Sequence, residues 1–334
     1  MRIFILGASE TLWTTARHLH LTGCGTVVAV VTRKSSLRHV RTEADFKAMA
    51  DELGAPFMIR EELDESALEL VKNAAADVCI AVDWLGSLPI AAGLFPLGVV
   101  TPAFGDPASQ SGNDIDLWAI LHSRQELELS VRHTSPKDGL SRVLPVSATI
   151  SLDANATIAD IRRYSDSRTP SVVADALGWL ANNSIESVAP ALDENGIAKF
   201  HPIADSDRLI DWRDSAERIH AKIKAFTKPL PGAYTYMRDN LGNIVKLFVW
   251  RSRLVMPMRV DYGTPGLVIH CRADNGEAQV LAGNGIVALQ SVSEGIDSPW
   301  FEPGKDWRAD RTRLGLCLDD EVFNLLSSRS MLKE

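Results

Sequence analysis

The chain lacks an apolar run near the roughly 20 residues that a helix needs to cross a bilayer. Its 46% hydrophobic and 23% charged residues are ordinary for a globular protein. The N-terminal MRIFILGAS is too short for a signal peptide, and no basic region or small-residue cleavage site accompanies it. A cytoplasmic location is therefore expected. Cysteine is scarce: Cys24, Cys79, Cys271 and Cys317 are far apart, with no C-x-x-C pair, so they read as core or surface thiols rather than a disulfide framework or zinc site. Positive charge is also short, with 35 Lys and Arg against 43 Asp and Glu and a net charge of −8. A nucleic-acid partner normally requires a basic face. Gly7-Ala8-Ser9 supplies one glycine where a dinucleotide fingerprint needs G-x-G-x-x-G, which argues against NAD or FAD. No G-x-S-x-G elbow, metal-spaced His or Cys pair, internal repeat or low-complexity stretch is present.

What is present alternates. Met1–Leu6 and the β-branched run Thr26–Thr32 read as strands of a parallel sheet covered on both faces. Pro56–Met58, Val78–Val82 and Gly98–Val100 continue the series. Between them, Leu12–Leu21, Ala44–Leu53 and Glu65–Ala74 have helical spacing. Asp114–Leu121 then reads as a helix, Glu126–His133 and Val146–Leu152 as strands, and Thr169–Asn182 as a helix. From Ile244 onward, KLFVWRSRL, GLVIHC, EAQVLAG and GIVALQSV alternate with glycine turns, the pattern of a small β-barrel or β-rich domain. The expected fold is α/β: a Rossmann-like domain with a mainly parallel sheet (1–182), a connecting segment (183–207), and a linker helix with a small β-rich, OB-like domain (208–334).

Three stretches carry a resemblance. The most specific is RLIDWRDSAERIHAKIKAFTKPLPGAYTYM, Arg208–Met237, with Ile210-Asp211-Trp212, Ala216-Glu217, Ile219-His220, Pro229 and Pro231-Gly232-Ala233-Tyr234-Thr235. Asp211 or Ser215 can cap its helix, and Pro231-Gly232 can supply the turn after it. The second runs from Gly98-Val99-Val100 through Gly112 to Leu117-Trp118-Ala119-Ile120; the third is Ala81–Pro89, AVDWLGSLP. Together they resemble the folate-dependent formyltransferases of the methionyl-tRNA formyltransferase type. The resemblance implies N10-formyltetrahydrofolate as donor and an amine as acceptor. It also implies a folate pocket lined by Asp83, Trp84, Leu85, Ser87, Leu88 and Gly112.

It also implies catalytic residues that this chain does not carry. The family places an Asn and a His two residues apart, with an Asp farther on, to hold the oxyanion and move protons. The corresponding positions here are Thr101, Ala103 and Leu140. Removing one oxyanion donor typically costs about 10²–10³ in rate, so an unmodified mechanism is not expected. Thr101, His133, Asp138 and Asp106 are the candidate replacements, paired as His133 with Asp138 or with Asp106. Each also has a structural reading: Asp138 in Pro-Lys-Asp-Gly suits a turn, Asp114 suits a helix cap, and His133 suits a satisfied strand histidine. Arg33, Lys34, Arg38 and Arg41 form a basic loop that is either solvated or a phosphate site. Trp84 either stacks on a ligand ring or packs.

Three functions stay open. One is a one-carbon transferase of altered mechanism acting on a small amine. The second is a non-catalytic relative that binds folate, nucleotide or a protein partner. The third is a different reaction in the old pocket. The acidic charge disfavours tRNA as acceptor, no membrane association is expected, and a homo-oligomer is compatible with the sequence.

Overall fold

The computed structural model describes residues 1–35, 40–105, 110–112, 114–183, 185, 188, 198–239, 241–256, 261–309 and 311–315. In chain order the elements are β1 (Arg2–Gly7), α1 (Glu10–Leu21), β2 (Thr26–Thr32), α2 (Glu43–Leu53), β3 (Phe57–Ile59), α3 (Glu65–Ala74), β4 (Val78–Val82) and α4 (Leu88–Ala92). Next come β5 (Val99–Phe104), β6 (Gln110–Gly112), α5 (Ile115–Leu121), β7 (Glu126–Thr134), β8 (Ser141–Ser151), α6 (Ile158–Asn182) and β9 (Ala198–Phe200). The series ends with α7 (Ala216–Phe226), β10 (Ala233–Arg238), β11 (Ile244–Leu254), β12 (Val268–Arg272), β13 (Glu277–Leu281), β14 (Ile286–Ser293) and α8 (Pro303–Asp306). Two compact units result. One comprises Met1–Asp116, Gln125–Asp153 and Asp160–Pro202; the other comprises Leu117–Arg124, Ala154–Ala159 and Ile203–Glu334.

The first unit is built on a seven-stranded sheet in the order β3-β2-β1-β4-β5-β7-β8. β1 to β5 are parallel, β7 is antiparallel to β5, and β8 is antiparallel to β7. The central strands are apolar on both sides because both faces are covered: Ile3, Phe4, Ile5 and Leu6 of β1 are fully buried. One face carries the cluster Phe4, Leu6, Cys79, Ala81 and Val99, packed against Val71 of α3 and Ala91, Ala92 and Phe95 around α4. Burying such side chains contributes roughly 1.5–3 kcal/mol each.

The turn after β1 requires glycine. Gly7 has φ +113°, and a Cβ there would stand 2.0 Å from the Val82 carbonyl oxygen at the end of β4. Gly7→Ala is therefore expected to destabilise the protein, by roughly 1–3 kcal/mol from backbone strain alone and further because β1 and β4 must part. A urea midpoint unchanged from the wild type would refute this.

Two expectations are corrected. The last helix of this unit begins at Ile158 rather than Thr169, and Pro170 lies inside it. The segment 183–207 is not wholly irregular: β9 pairs in parallel with β6, and Asp205–Arg208 forms a 3-10 turn.

The second unit is a five-stranded antiparallel sheet, ordered β10-β11-β14-β13-β12. Here the sentence Arg208–Met237 turns out to be scaffold. Ser215, not Asp211, caps α7, accepting from the Arg218 amide at 3.2 Å. Asp211 pairs with Arg213 instead. Trp212 is buried and donates its indole N–H to Thr235 Oγ1 at 3.0 Å. His220, also buried, meets Ser252 Oγ at 2.9 Å. Gly232, at φ +87°, lets the chain turn beneath Trp250, whose ring would sit 3.0 Å from a Cβ there.

Candidate functional site

The sequence points to the loop after β4, the end of β5 and the hairpin between β7 and β8. The structure brings the first and last of these together: a Cβ on Gly139 of the hairpin would lie 3.3 Å from Pro89 Cβ at the start of α4. Exposed apolar side chains cluster in these two segments, with Leu85 and Ile90 each 71% exposed and Leu140 48% exposed.

Within the loop, Asp83 has φ +54° and is held by Arg33, which donates to its carboxylate at 2.6 Å and to its carbonyl at 2.8 Å. Trp84 is half-buried, packs against the α4-side cluster and folds over Gly86, whose Cβ would meet the indole nitrogen at 2.5 Å. Leu88 packs on the same cluster. Ser87 caps α4, its hydroxyl 3.5 Å from the Ile90 amide. Gly112 ends β6, beside Phe200 of β9. Asp106 and Arg38 lie outside the described residues.

Thr101 and Ala103, the positions matched to the family's Asn and His, alternate with Val99 on β5 and so share the sheet face to which α4 is packed. Thr101 Oγ1 is buried without a hydrogen-bond partner. Ser130, opposite Ala103, donates toward the carbonyls of Ala103 and Gly105, at 3.3 Å each.

His133 stands opposite Val100, one residue out of phase with Thr101, and therefore on the other face of β5 and β7. It is 1% exposed. Its Nε2–H donates to the Leu97 carbonyl at 2.7 Å, which leaves Nδ1 as an acceptor, buried and without a partner. Burial pushes its pKa down. Asp138 does not hydrogen-bond His133: Arg142, the cross-strand neighbour of His133, donates two guanidinium N–H groups to Asp138 at 3.1 and 2.6 Å. That pair holds Asp138 far below the usual carboxylate range. Asp138 also accepts from the Leu140 amide at 3.0 Å, the turn role available to it from sequence. The two residues share a neighbourhood through Arg142 rather than forming a direct dyad. Asp114 precedes α5 with φ +55°.

The basic loop is ion-paired. Arg33 is taken by Asp83, and Arg41 by Glu10 and Asp45, with its guanidinium 3.9 Å from the Trp13 ring centroid. The Lys34 amide donates to Glu61. A surface cavity of about 360 Å³, lined by Val71, Lys72, Asp77 and Leu94 among others, sits at the opposite end of β4 and holds none of the candidate residues. Among the described residues no group of His, Cys, Asp and Glu could hold a metal ion.

One residue escaped the sequence reading. Arg132, directly across from Thr101, is half-buried; its Nε is sealed from solvent with no hydrogen-bond acceptor, and burial lowers its pKa. The period-2 pattern of S-V-R-H placed it on the Thr101 face, but an arginine in an exposed strand reads the same way.

A mostly parallel α/β sheet that closes with two antiparallel strands, followed by a helix and an antiparallel sheet, defines the class of scaffold. Residues 202–296 match the family described as formyl transferase, C-terminal domain. The chain is 27% identical over 238 residues to methionyl-tRNA formyltransferase of Coxiella burnetii (strain RSA 331 / Henzerling II), 71% of each. A 71-residue stretch, 21% of this chain, is 38% identical to the bifunctional polymyxin resistance protein ArnA of Wigglesworthia glossinidia brevipalpis, of which it covers 10%. Among solved structures, HypX from Aquifex aeolicus in complex with tetrahydrofolic acid superposes with a TM-score of 0.56 at 15% identity, over 92% of this chain and 46% of HypX. WlaRD, a sugar 3N-formyl transferase solved in the presence of dTDP and 5-N-formyl-THF, gives 0.58 at 13% identity, over 86% of this chain and 97% of that one. This chain thus spans a tenth of ArnA and about half of HypX. Its residues 202–296 are thus similar to the formyl transferase C-terminal domain, and 71% of the chain is similar to a methionyl-tRNA formyltransferase.

Proposed function

We propose that this chain is a folate-dependent one-carbon transferase of altered mechanism, acting on a small amine such as an amino sugar. The observation that carries this reading is the approach of the β7–β8 hairpin to the start of α4 at Pro89, with Leu85, Ile90 and Leu140 exposed on the same two segments. Exposed leucine and isoleucine side chains on these two segments favour a largely apolar ligand, which suits a pterin ring with its aryl tail. The tetrahydrofolate bound by HypX and the 5-N-formyl-THF present with WlaRD support a folate here. In the proposal, Asp83 to Leu88 and Gly112 line the donor pocket, and the hydroxyl of Thr101 faces the reacting carbon.

In the reaction the acceptor nitrogen bonds to the formyl carbon, and the carbonyl electron pair moves onto oxygen. The tetrahedral oxyanion collapses with cleavage of the bond to N10. One proton leaves the amine and one reaches N10, giving the formamide and tetrahydrofolate. With alanine at 103, no imidazole relays that proton. His133 is engaged with Leu97 and Asp138 with Arg142, so the proposal routes the proton through water, with Asp106 as the remaining candidate. The net charge of −8 favours a small acceptor over tRNA.

Calorimetric titration with 5-formyltetrahydrofolate tests the donor half of the reading, with micromolar binding as the expected result. Formation of formamide from 10-formyltetrahydrofolate and a panel of amino sugars tests the other half. No heat of binding and no turnover would overturn the proposal. Binding without turnover on any amine would make the chain a non-catalytic folate-binding relative.

A further inference from the structure

Thr101 and Arg132 face each other across β5 and β7, on the sheet side that carries α4. Cross-strand partners stand about 4.5–5.5 Å apart at Cβ. Both present donors that the protein leaves unused: the Thr101 hydroxyl and the Arg132 Nε–H are buried without an acceptor. No acidic side chain pairs with Arg132 among the described residues, although most other arginines of this unit have a carboxylate partner, as Arg17, Arg33, Arg41, Arg60 and Arg142 do. Arg132 is half-buried, but its Nε–H is fully desolvated, and a desolvated donor left unmade costs more than a bond returns. Two such donors side by side therefore call for an anion. Next to Arg132 the β7–β8 ladder slips, Ser130 opposing Ser147 while Arg132 opposes Val143, and bulges of this kind re-aim side chains beside active sites.

We infer that Thr101 and Arg132 form an anion hole that, in the reaction proposed above, holds the oxyanion developing at the formyl carbon. The inference rests on that reading for its reaction but not for its ligand class. A guanidinium supplies positive charge and N–H donors where the resemblance implies a His and an Asn, and its Nε–H is already desolvated before the charge appears. Arg132 would thus be a catalytic residue in a position where sequence comparison looks for none.

The test uses the full chain as wild type, Arg132→Met, Arg132→Lys and Thr101→Val, with sodium formate as the anion probe and chloride at equal ionic strength as control. Formate is expected to raise the wild-type Tm and to leave that of Arg132→Met unmoved. Without formate, Arg132→Met is expected to melt above the wild type, because a half-buried guanidinium with a desolvated, unpaired Nε–H is gone; a merely structural arginine would give the opposite sign. Turnover of 10-formyltetrahydrofolate with the best amine should fall about 100-fold or more in Arg132→Met and at least 10-fold in Thr101→Val, while 5-formyltetrahydrofolate affinity stays within 3-fold. Arg132→Lys should recover part of the rate, and it carries the test if the methionine variant fails to fold. Wild-type-like turnover and a formate response in Arg132→Met would overturn the anion hole and leave formyl transfer standing. An Arg132-dependent formate response in a protein that turns over no amine would do the reverse.

Discussion

Trp250→Ala is expected to lower the stability of the antiparallel-sheet unit by about 3–5 kcal/mol, the range for truncating a buried large aromatic. Trp250 is 1% exposed, near the middle of β11. Its ring stacks on Trp300 with centroids 5.3 Å apart and planes 12° from parallel, and on Phe248 at 6.2 Å. Its indole N–H donates to Ser293 Oγ at 2.8 Å, and its carbonyl accepts from Thr227 Oγ1 at 2.9 Å. Truncation empties the site against which Gly232 turns and leaves Ser293 short of its donor. Trp250→Phe keeps the stack and loses only the hydrogen bond, so it should cost about 1–2 kcal/mol. Urea unfolding followed by tryptophan fluorescence separates the two variants; equal midpoints would show that the stack contributes little.

Acidification is expected to destabilise the same unit between pH 6.5 and about 4. Burial, helped by the nearby Lys224 charge, lowers the His220 pKa from 6.5 to about 4. The unfolded chain therefore binds a proton that the native chain refuses. The contribution is complete above pH 6.5, declines as pH falls and is exhausted below about 4. At about 1.4 kcal/mol per pH unit this is roughly 3 kcal/mol. His133, in the unit built on the seven-stranded sheet, acts in the same direction there, its pKa also lowered by burial. His220→Asn keeps a polar group for Ser252 and removes the titration. Its urea midpoint should therefore vary less over that window, whereas a wild-type midpoint flat from pH 7 to 4 would disprove the account.

Much of the scaffold was legible because local rules agreed with the fold. The β-branched run Thr26–Thr32 is a buried parallel strand, and Glu65–Ala74 is a helix at the expected bounds. Where local rules conflicted, reading failed. The sequence reading begins this helix at Thr169, one residue before Pro170, a residue that suits a first turn better than a helix interior. In the structure it lies within α6, which runs on from Ile158. Removing its N–H frees the carbonyl of Asp166, and the Thr14 hydroxyl of α1 lies 3.5 Å from that carbonyl while Thr11 hydrogen-bonds the Asp166 carboxylate. A long-range partner makes the proline tolerable, and no window of sequence contains it.

The site divides in the same way. The resemblance in sequence suggested where the catalytic residues would be expected, with Thr101 and Ala103 at the positions matched to an Asn and a His. Sequence by itself also made the fold class legible, an α/β region with a mainly parallel sheet and a β-rich C-terminal region, since hydrophobic period and turn chemistry are properties of neighbouring residues. Only the tertiary structure decided which side chains meet. Strand register set His133 and Thr101 on opposite faces and put Arg142 beside His133, where it holds Asp138. The same register left Arg132 opposite Thr101 with no carboxylate to receive it among the described residues. Register is fixed by contacts between strands far apart in the chain, so the charge of this site was written in the sequence while its partners were not.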